Sequence, residues 1–511
     1  MILFSAFYGR RADMAYSVLY DPCIPVQMLD GSVQMLGMRD TFLQAHNIRD
    51  IQGETPLERY AVMRLLIAFT MDLMHPEDSY ERQSILESGR FDQRQLDDYI
   101  EACETQGPRF DLFDPVHPFL QSRYDAKLDA KAEKPVSVII HALPSGNNHT
   151  FIDHRRGDQH EVSCAKAFQA LLASYVFCVS GTAGPSSINN TPPLYAIMLG
   201  KNLFETIVMN MLSQSEAMPL PYGTGMVPWK MERTIVPREN IADVTLLEGL
   251  TWMPRRITLI QNDNGMVQKV YCQAGLDFKG NDLWTDPHVP RIKRKDGTYT
   301  TIKPDQGREL WRDAGTLLYD HDGKSVRQPN AFRCIGNVYD EDDFPDHIAV
   351  RAAGLITNQA AYTGWTEGEL SLPSKLLFEQ RKADAFREDA ALVESIQYQI
   401  SINVQRCVDL PRKGSPGKEH EISTQCQLFF LHGAHDILFG MGIEEICSEI
   451  PLTEHAAHFC DSIIDLIRRT ISQVLYASGS STEAMMKQME AEQNIWSICH
   501  KLIKERKEKD A

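Results

Sequence analysis

"KADAFREDAALVESIQYQISINVQRCVDL", residues 382–410, decides the architecture of the C-terminal part of this chain. Phe386, Val393, Ile396, Ile400, Val404 and Cys407 recur at helical spacing and fall on one face, with charged and amide residues on the others. A helix with a single apolar stripe must bury that stripe against something. Three further segments offer matching stripes. They are "HEISTQCQLFFLHGAHDILFGM" after the polar loop "PRKGSPGKE", then "TEHAAHFCDSIIDLIRRTISQVLYAS", then "TEAMMKQMEAEQNIWSICHKLIKERK". In the third helix of the four, "TEHAAHFCDSIIDLIRRTISQVLYAS", Phe459, Ile463, Ile467, Ile471 and Val474 line up. Gly479 ends it, and Ser480 with Glu483 reads as a capping box for the fourth. Four amphipathic helices with short connections predict a four-helix bundle over residues 374–511.

Upstream of "SLPSK" (371–375) the pattern is mixed, and residues 14–373 are expected to form an α/β domain with long loops, making the whole chain α+β. "AYSVLYDPCIPV" reads as a first strand. "IPVQML" and "SVQMLGM" flank Asp30-Gly31, a strong hairpin signal. In "TPLERYAVMRLLIAFTMDLM", Thr55 is the expected N-cap, Pro56 opens the helix and Glu58 reaches back to complete a capping box. "DQRQLDDYIEACETQ" and "LFETIVMNML" are further helices, and "RRITLIQ" and "KVYCQAGLDF" are strands. Residues 1–13 precede Met14 and read as a mis-assigned upstream start.

Composition narrows the function. The chain has 511 residues, 43% apolar and 24% charged, an ordinary globular balance with room for two to four domains. A net charge of −17 argues against a globally basic nucleic-acid binder, although phosphate contacts depend on local patches. Eleven scattered cysteines with no CxxC, and no signal-peptide pattern, favour a reducing cytoplasm over a disulfide framework or a zinc ribbon.

Three stretches carry candidate chemistry. "IHALPSGNNHTFIDHRRGDQHE" offers His141, His149, His154 and His160 with Asp153 and Asp158. A metal-dependent hydrolase built on residues 141–160 is therefore the alternative reading, weakened by glycines that break any regular ligand spacing. Arg155 and Arg156 suit phosphate better than metal. "VSGTAGPSSINN" supplies two glycines but neither a GxxxxGK[ST] nor a GxGxxG loop. "RIKRKDGTY" puts Arg291, Lys293, Arg294 and Lys295 before a turn. Such a run is usually solvated surface, and phosphate contact is its functional use.

"YSVLYDPCIPV", "HPFLQS", "LPSGNNHTFIDH", "SSINNTPPLYAIMLGKNLFETIVMNML", "GLTWMPRRI", "LWTDPHVP" and "TNQAA" occur in an order that resembles one family across essentially the whole chain. That family is CasA, the large subunit of the type I-E CRISPR surveillance complex, Cascade. The resemblance implies a non-catalytic DNA-recognition subunit with no cofactor. Such a subunit inspects duplex DNA for a protospacer-adjacent motif (PAM) from the minor groove, wedges the strands apart and helps recruit the helicase–nuclease. Its partners are the other Cascade subunits, the guide RNA and double-stranded target DNA. By that resemblance Ser180, Gly181, Thr182, Ala183 and Gly184 correspond to a glycine loop, and Asn358, Gln359 and Ala360 to a wedge tip. Lys279, or alternatively Lys269, corresponds to a hairpin lysine, and Phe151 and Asp153 to a loop that docks at the guide-RNA end. Relatives with extra cysteines near that hairpin hold a metal; only Cys272 stands here, so the resemblance implies none.

Overall fold

The computed structural model describes residues 16–143, 160–179, 187–217, 223–232, 234–279, 284–320, 326–339, 344–358, 361–409 and 421–509. The chain divides into two compact units, residues 1–310 with 325–372, and residues 311–324 with 373–511.

The first unit is built from small sheets around buried helices. Strands β1 (Ile24–Met28), β2 (Val33–Leu36) and β3 (Ile48–Ile51) form an antiparallel sheet in the order β2-β1-β3. The turn between β1 and β2 is the one expected: Gly31 has φ of 88°, and the Asp30 carboxylate accepts from the Ser32 amide at 2.9 Å. The first strand is shorter than the sequence suggests. Residues 17–22 form turns, with only Ser17 bridging to Asp111, because the Asp21 carboxylate and local carbonyls take up these amides.

Helix α1 (Pro56–Met74) is buried around almost its whole circumference, the signature of a helix at the centre of a large core. The Thr55 hydroxyl caps it by accepting from the Glu58 amide at 3.3 Å. The second half of the expected capping box is absent. Glu58 instead turns its carboxylate to Lys166 at 2.5 Å, a stronger, charged partner than a backbone amide. Helix α2 (Gln93–Cys103) starts at the Asp92 cap, and α3 (Cys164–Val176) and α4 (Leu203–Asn210) complete the helical core.

The remaining strands fall into short sheets. β4 (Glu133–Pro135), β5 (Tyr195–Leu199), β6 (Glu239–Ile241), β7 (Arg255–Gln261), β8 (Val267–Ala274), β9 (Leu276–Phe278), β10 (Arg291–Lys293), β11 (Tyr299–Thr301) and β12 (Val326–Arg327) precede a long terminal hairpin. That hairpin is β13 (His347–Asn358) with β14 (Ala361–Pro373). The sheet orders are β4-β8-β7, β11-β10-β12 and β14-β13-β5, with β6 and β9 as a parallel pair. β5 runs antiparallel to β13, with Tyr195 opposite Ala353.

A charged network sits inside this unit, tying "RYAVMRLL" to "LWTDPHVP". Arg64 pairs with Asp286 at 2.8 Å and donates to the Leu250 and Gly249 carbonyls. Asp286 also accepts from Asn189 at 2.9 Å and from the His288 amide at 3.0 Å. Its carboxylate is thus fully hydrogen-bonded, the condition under which a buried ion pair is tolerated. Burial works against the charged form of Asp286, but the Arg64 charge outweighs it and leaves the pKa below the usual carboxylate value. His288 loses its water and is pulled down to about 4, so it is a neutral hydrogen-bonding ring.

The second unit is the four-helix bundle of α5 (Gln380–Val404), α6 (Glu421–Ile437), α7 (Leu452–Thr470) and α8 (Thr482–Lys509). Phe386, Val393, Ile396, Ile400 and Val404 are buried, as their spacing requires. Phe459, Ile463, Ile467 and Ile471 are too, but then the stripe slips: Leu475 is buried and Val474 only half-buried. A π-helical turn over Ile471–Leu475 adds a residue and rotates the next position inward. The cap of α8 also lies one residue later than expected. Ser481 accepts from the Ala484 amide at 3.2 Å, while Glu483 pairs with Lys487. Residues 311–319 belong with this unit: Arg312 makes a two-pronged pair with Glu394, and Arg387 donates to the carbonyls of Gly315, Leu318 and Tyr319. Among the described residues no helix is long and apolar enough to cross a membrane.

Candidate nucleic-acid interface

Helix α3 ends at Phe177, and the chain then passes through Cys178 and Val179 to residue 180. The last carbonyls of a helix have no partner within it and must find one elsewhere. The carbonyl of Val176 at the helix end and those of Phe177, Cys178 and Val179 just past it each find one, from different parts of the unit. The Tyr195 hydroxyl donates to the Val176 carbonyl at 3.3 Å, and His141 Nε2 lies 3.3 Å from that of Phe177. The Ser187 amide donates to the Cys178 carbonyl at 3.0 Å, and Arg255 Nη2 to that of Val179 at 2.9 Å. The bond from Ser187 to Cys178 joins the two sides of the segment 180–186 at its neck.

The β13–β14 hairpin approaches the same place. Its base is buried at Val350, Ala352, Ala353 and Leu355, and exposure rises along β13 until Asn358 is solvent-exposed. Twelve residues of β13 at about 3.3 Å each make the strand roughly 40 Å long. Gly354 is required in it, because a Cβ there would lie 2.2 Å from Cγ of Pro304. At the base Arg351 pairs with Asp50 of β3 at 2.7 Å and with Glu369 across the hairpin at 2.6 Å. Near the far end the Tyr362 ring packs 5.4 Å from that of His141. His141 therefore stands between the hairpin and the neck of 180–186, and residue 144 follows it by three positions. It is half-buried, and desolvation pulls its pKa down to about 4, so its ring is neutral.

The structure brings together the surroundings of three stretches singled out in the sequence. Ser180, Gly181, Thr182, Ala183, Gly184, Gln359, Ala360, Phe151, Asp153, Arg155, Arg156, His149, His154 and Asp158 themselves lie outside the described residues. Lys279 is exposed and pairs with Asp277 at 2.8 Å, while its amide donates to Ile241 at 2.7 Å. Lys269 is also exposed, paired with Glu133 at 2.7 Å. Both are surface pairs of small worth, and neither holds its lysine away from another anion.

The basic run splits. Lys293, Arg294 and Lys295 are exposed, but Arg291 is 8% exposed and its guanidinium donates to the Trp284 carbonyl at 2.6 Å. Arg291 is buried at the start of β10, although Lys293 two residues on is exposed, so its reading as a phosphate contact gives way to a structural one. Arg327 of β12 takes its place beside the run, stacked 3.8 Å from the centre of the Tyr299 ring. Nothing in the sequence singles it out, since only strand pairing brings it to β10. His141, a candidate metal ligand by sequence, has Phe177 and Tyr362 as its partners instead, and His160 is buried. Among the described residues no group of three or more His, Cys, Asp or Glu side chains is placed to hold a metal ion.

The sequence profile of the CRISPR-associated protein Cse1 family matches residues 18–431. The chain belongs to the Cse1 family. A CasA/Cse1 protein of Thermus thermophilus is 26% identical over 387 residues, 71% of this chain and 72% of that one. Among solved structures, Thermobifida fusca Cse1 superposes with a TM-score of 0.72 at 19% identity, over 96% of this chain and 98% of that one. A chain of a structure described as a CRISPR RNA-guided surveillance complex gives a TM-score of 0.76 at 17% identity, over 94% and 99%. At such identities the likeness is one of fold, and it extends through both units.

Proposed function

We propose that this Cse1-family chain is the non-catalytic large subunit of a type I-E RNA-guided surveillance complex in the cytoplasm. It recognises the PAM in double-stranded DNA from the minor groove and opens the duplex so that the guide RNA can pair. Membership of the family supports the reading, as does the fold shared with a chain of a surveillance complex. The observation that carries it is the convergence on His141. Phe177, three residues before 180, and Tyr362, two residues after 360, both contact it, and residues 144–159 follow it closely in the chain.

The chemistry of the two tips suits the task. The minor groove offers mainly acceptors, with the guanine amino group as its one added donor, so readout there is degenerate. Asn358 and Gln359 are neutral amides that both donate and accept, and they tolerate several motif variants where a guanidinium fork would demand one. Gly181 and Gly184 allow close approach of backbone to the groove floor. Entering the stack costs a few kcal/mol per step, which guide–target pairing then offsets. Lys279 would be the hairpin lysine that joins the two tips in reading the motif, while Lys293, Arg294, Lys295, Arg155 and Arg156 would hold phosphates and position the duplex without specifying it.

Phe151 and Asp153 would dock on the guide-RNA end. The first unit would act as the recognition domain, while the bundle meets the small subunits and the whole helps recruit the helicase–nuclease. The test is opening of a PAM duplex by the assembled complex carrying Gln359→Ala or Gly181→Asp. Both are expected to slow strand opening at least tenfold. Wild-type opening in both would defeat the reading.

A further inference from the structure

The first unit contains a cleft that the proposed function leaves unused. It has a volume of about 270 Å³ and is lined mainly from residues 116–121, 228–232 and 251–253. Phe119, Trp229 and Trp252, all buried, supply flat apolar walls, and the centres of the first two rings are 5.7 Å apart. Leu120, also in the wall, has φ of 50°, a left-handed conformation that a bulky side chain rarely adopts. Its carbonyl accepts from the Tyr175 hydroxyl at 2.9 Å, and the next side chain, Gln121, donates to the Leu112 carbonyl at 2.8 Å. Backbone strain persists where the surroundings over-determine it, and it gathers at ligand sites.

Arg109 is the buried charge of the cleft. Its side chain is 6% exposed, and among the described residues its guanidinium pairs with Glu232 alone. Glu232 is itself 59% exposed, and its second oxygen lies 3.6 Å from His117 Nε2. One carboxylate thus bridges a buried guanidinium and an imidazole while most of its own side chain stands in water. Leaving would cost Glu232 little, since an exposed carboxylate is readily hydrated, but Arg109 must keep an anion because a buried charge without one is costly. Arg123, exposed, adds a second guanidinium to the lining. The other carboxylate there, Glu248, is already committed to the amide and hydroxyl of Thr245, at 3.0 and 2.8 Å.

We propose that this cleft binds a small monocarboxylate with a flat apolar body, whose carboxylate replaces that of Glu232 on Arg109 and His117. The body lies against Phe119, Trp229 and Trp252. Glu232 is then a tethered competitor, holding the anion position until a ligand takes it. A guanidinium beside an imidazole gives a two-point grip that suits the two oxygens of a planar carboxylate. The volume falls just below the range of about 300–1,000 Å³ for drug-sized ligands, which limits the body to about one ring.

The probe is hydrocinnamate, with hydrocinnamide as its neutral match, followed by calorimetric titration and tryptophan fluorescence on the full chain and on the assembled complex. The acid is expected to bind at least about tenfold tighter than the amide, the factor for a hydrogen bond to a charged group. Glu232→Gln should tighten the acid by about threefold or more and leave the amide unchanged, because the tethered competitor is gone. Arg109→Gln should bring acid and amide to equal affinity. Glu232 is exposed, so its variant tests the proposal even where Arg109→Gln fails to fold. The proposal is overturned if Glu232→Gln binds the acid no tighter than the parental chain does, or no tighter than it binds the amide. Binding by the free chain that is lost in the assembled complex also overturns it, because a partner subunit would then fill the cleft.

Discussion

Replacing Asp286 by asparagine keeps the shape of the side chain and removes its charge, and it strikes the network beneath the neck of 180–186. Asp286 is fully buried, and Arg64 is nearly so. One carboxylate oxygen accepts from Arg64 at 3.1 Å and from the His288 amide, and the other from Arg64 at 2.8 Å and from Asn189. An amide can accept through only one oxygen, and its NH2 would face donors. The larger effect is the guanidinium left without a counter-charge in a site closed to water. Breaking such a pair from one side costs about 3–5 kcal/mol. The assay is urea unfolding of the full chain, followed by far-ultraviolet circular dichroism and by the fluorescence of buried tryptophans such as Trp284. Arg64→Met with Asp286→Asn should be less destabilised than the sum of the single variants by at least about 2 kcal/mol, because the orphaned charge is gone. The pH dependence has a defined sign. The folded pKa of Asp286 lies below its unfolded value, so the stabilisation is present above about pH 4 and is lost as pH falls through the folded pKa. The asparagine variant should lack that part of the acid limb. A cost below about 1 kcal/mol, or additive single variants, would refute the argument from buried charge.

Within the bundle, His455 is buried between Asp389 at 2.7 Å and Glu445 at 3.1 Å, with Arg506 on the far side of Asp389. Desolvation and Arg506 lower its pKa, but bonds to the two carboxylates outweigh them and the net shift is upward. Its contribution is therefore full below about pH 6.5 and lost as pH rises through the folded pKa, and histidine NMR titration with His455→Gln as control checks the direction. Lys293, Arg294 and Lys295 changed together to alanine should flatten the salt dependence of duplex binding, by about 0.9 in slope for each phosphate no longer neutralised, with little change in thermal stability. Arg291→Ala should do the reverse, since that guanidinium is spent on Trp284. Gly354→Ala should cost about 1–3 kcal/mol in thermal unfolding, because Pro304 is a rigid neighbour that cannot step aside.

The bundle is legible in the sequence because its helices bury single faces, so period alone names the residues inside. Where a π-helical turn intervenes, period fails, and it points to Val474 in place of Leu475. The capping signals give the start of α1 at Thr55 but mislead at Glu58, because a lysine from α3 competes for the same carboxylate. That competition is tertiary and leaves no local trace. Gly31, by contrast, is a local necessity, visible in the turn dipeptide itself. The affinity of residues 311–319 for the bundle is hidden for the opposite reason: a short irregular segment has no period, and its backbone carbonyls, which Arg387 seeks, are the same in every sequence. The candidate site divides likewise. Neutral amides and glycines stand out by composition, while His141, Tyr362 and Arg327 acquire their meaning only from what folds beside them.

Because the grip on residues 176–179 is taken through main-chain oxygens, it does not depend on which side chains those residues carry. The fold thereby supplies a socket into which different short inserts can be fitted while the fixture stays unchanged. Substitutions on either side of that grip can accumulate without rebuilding the groups that hold residues 176–179.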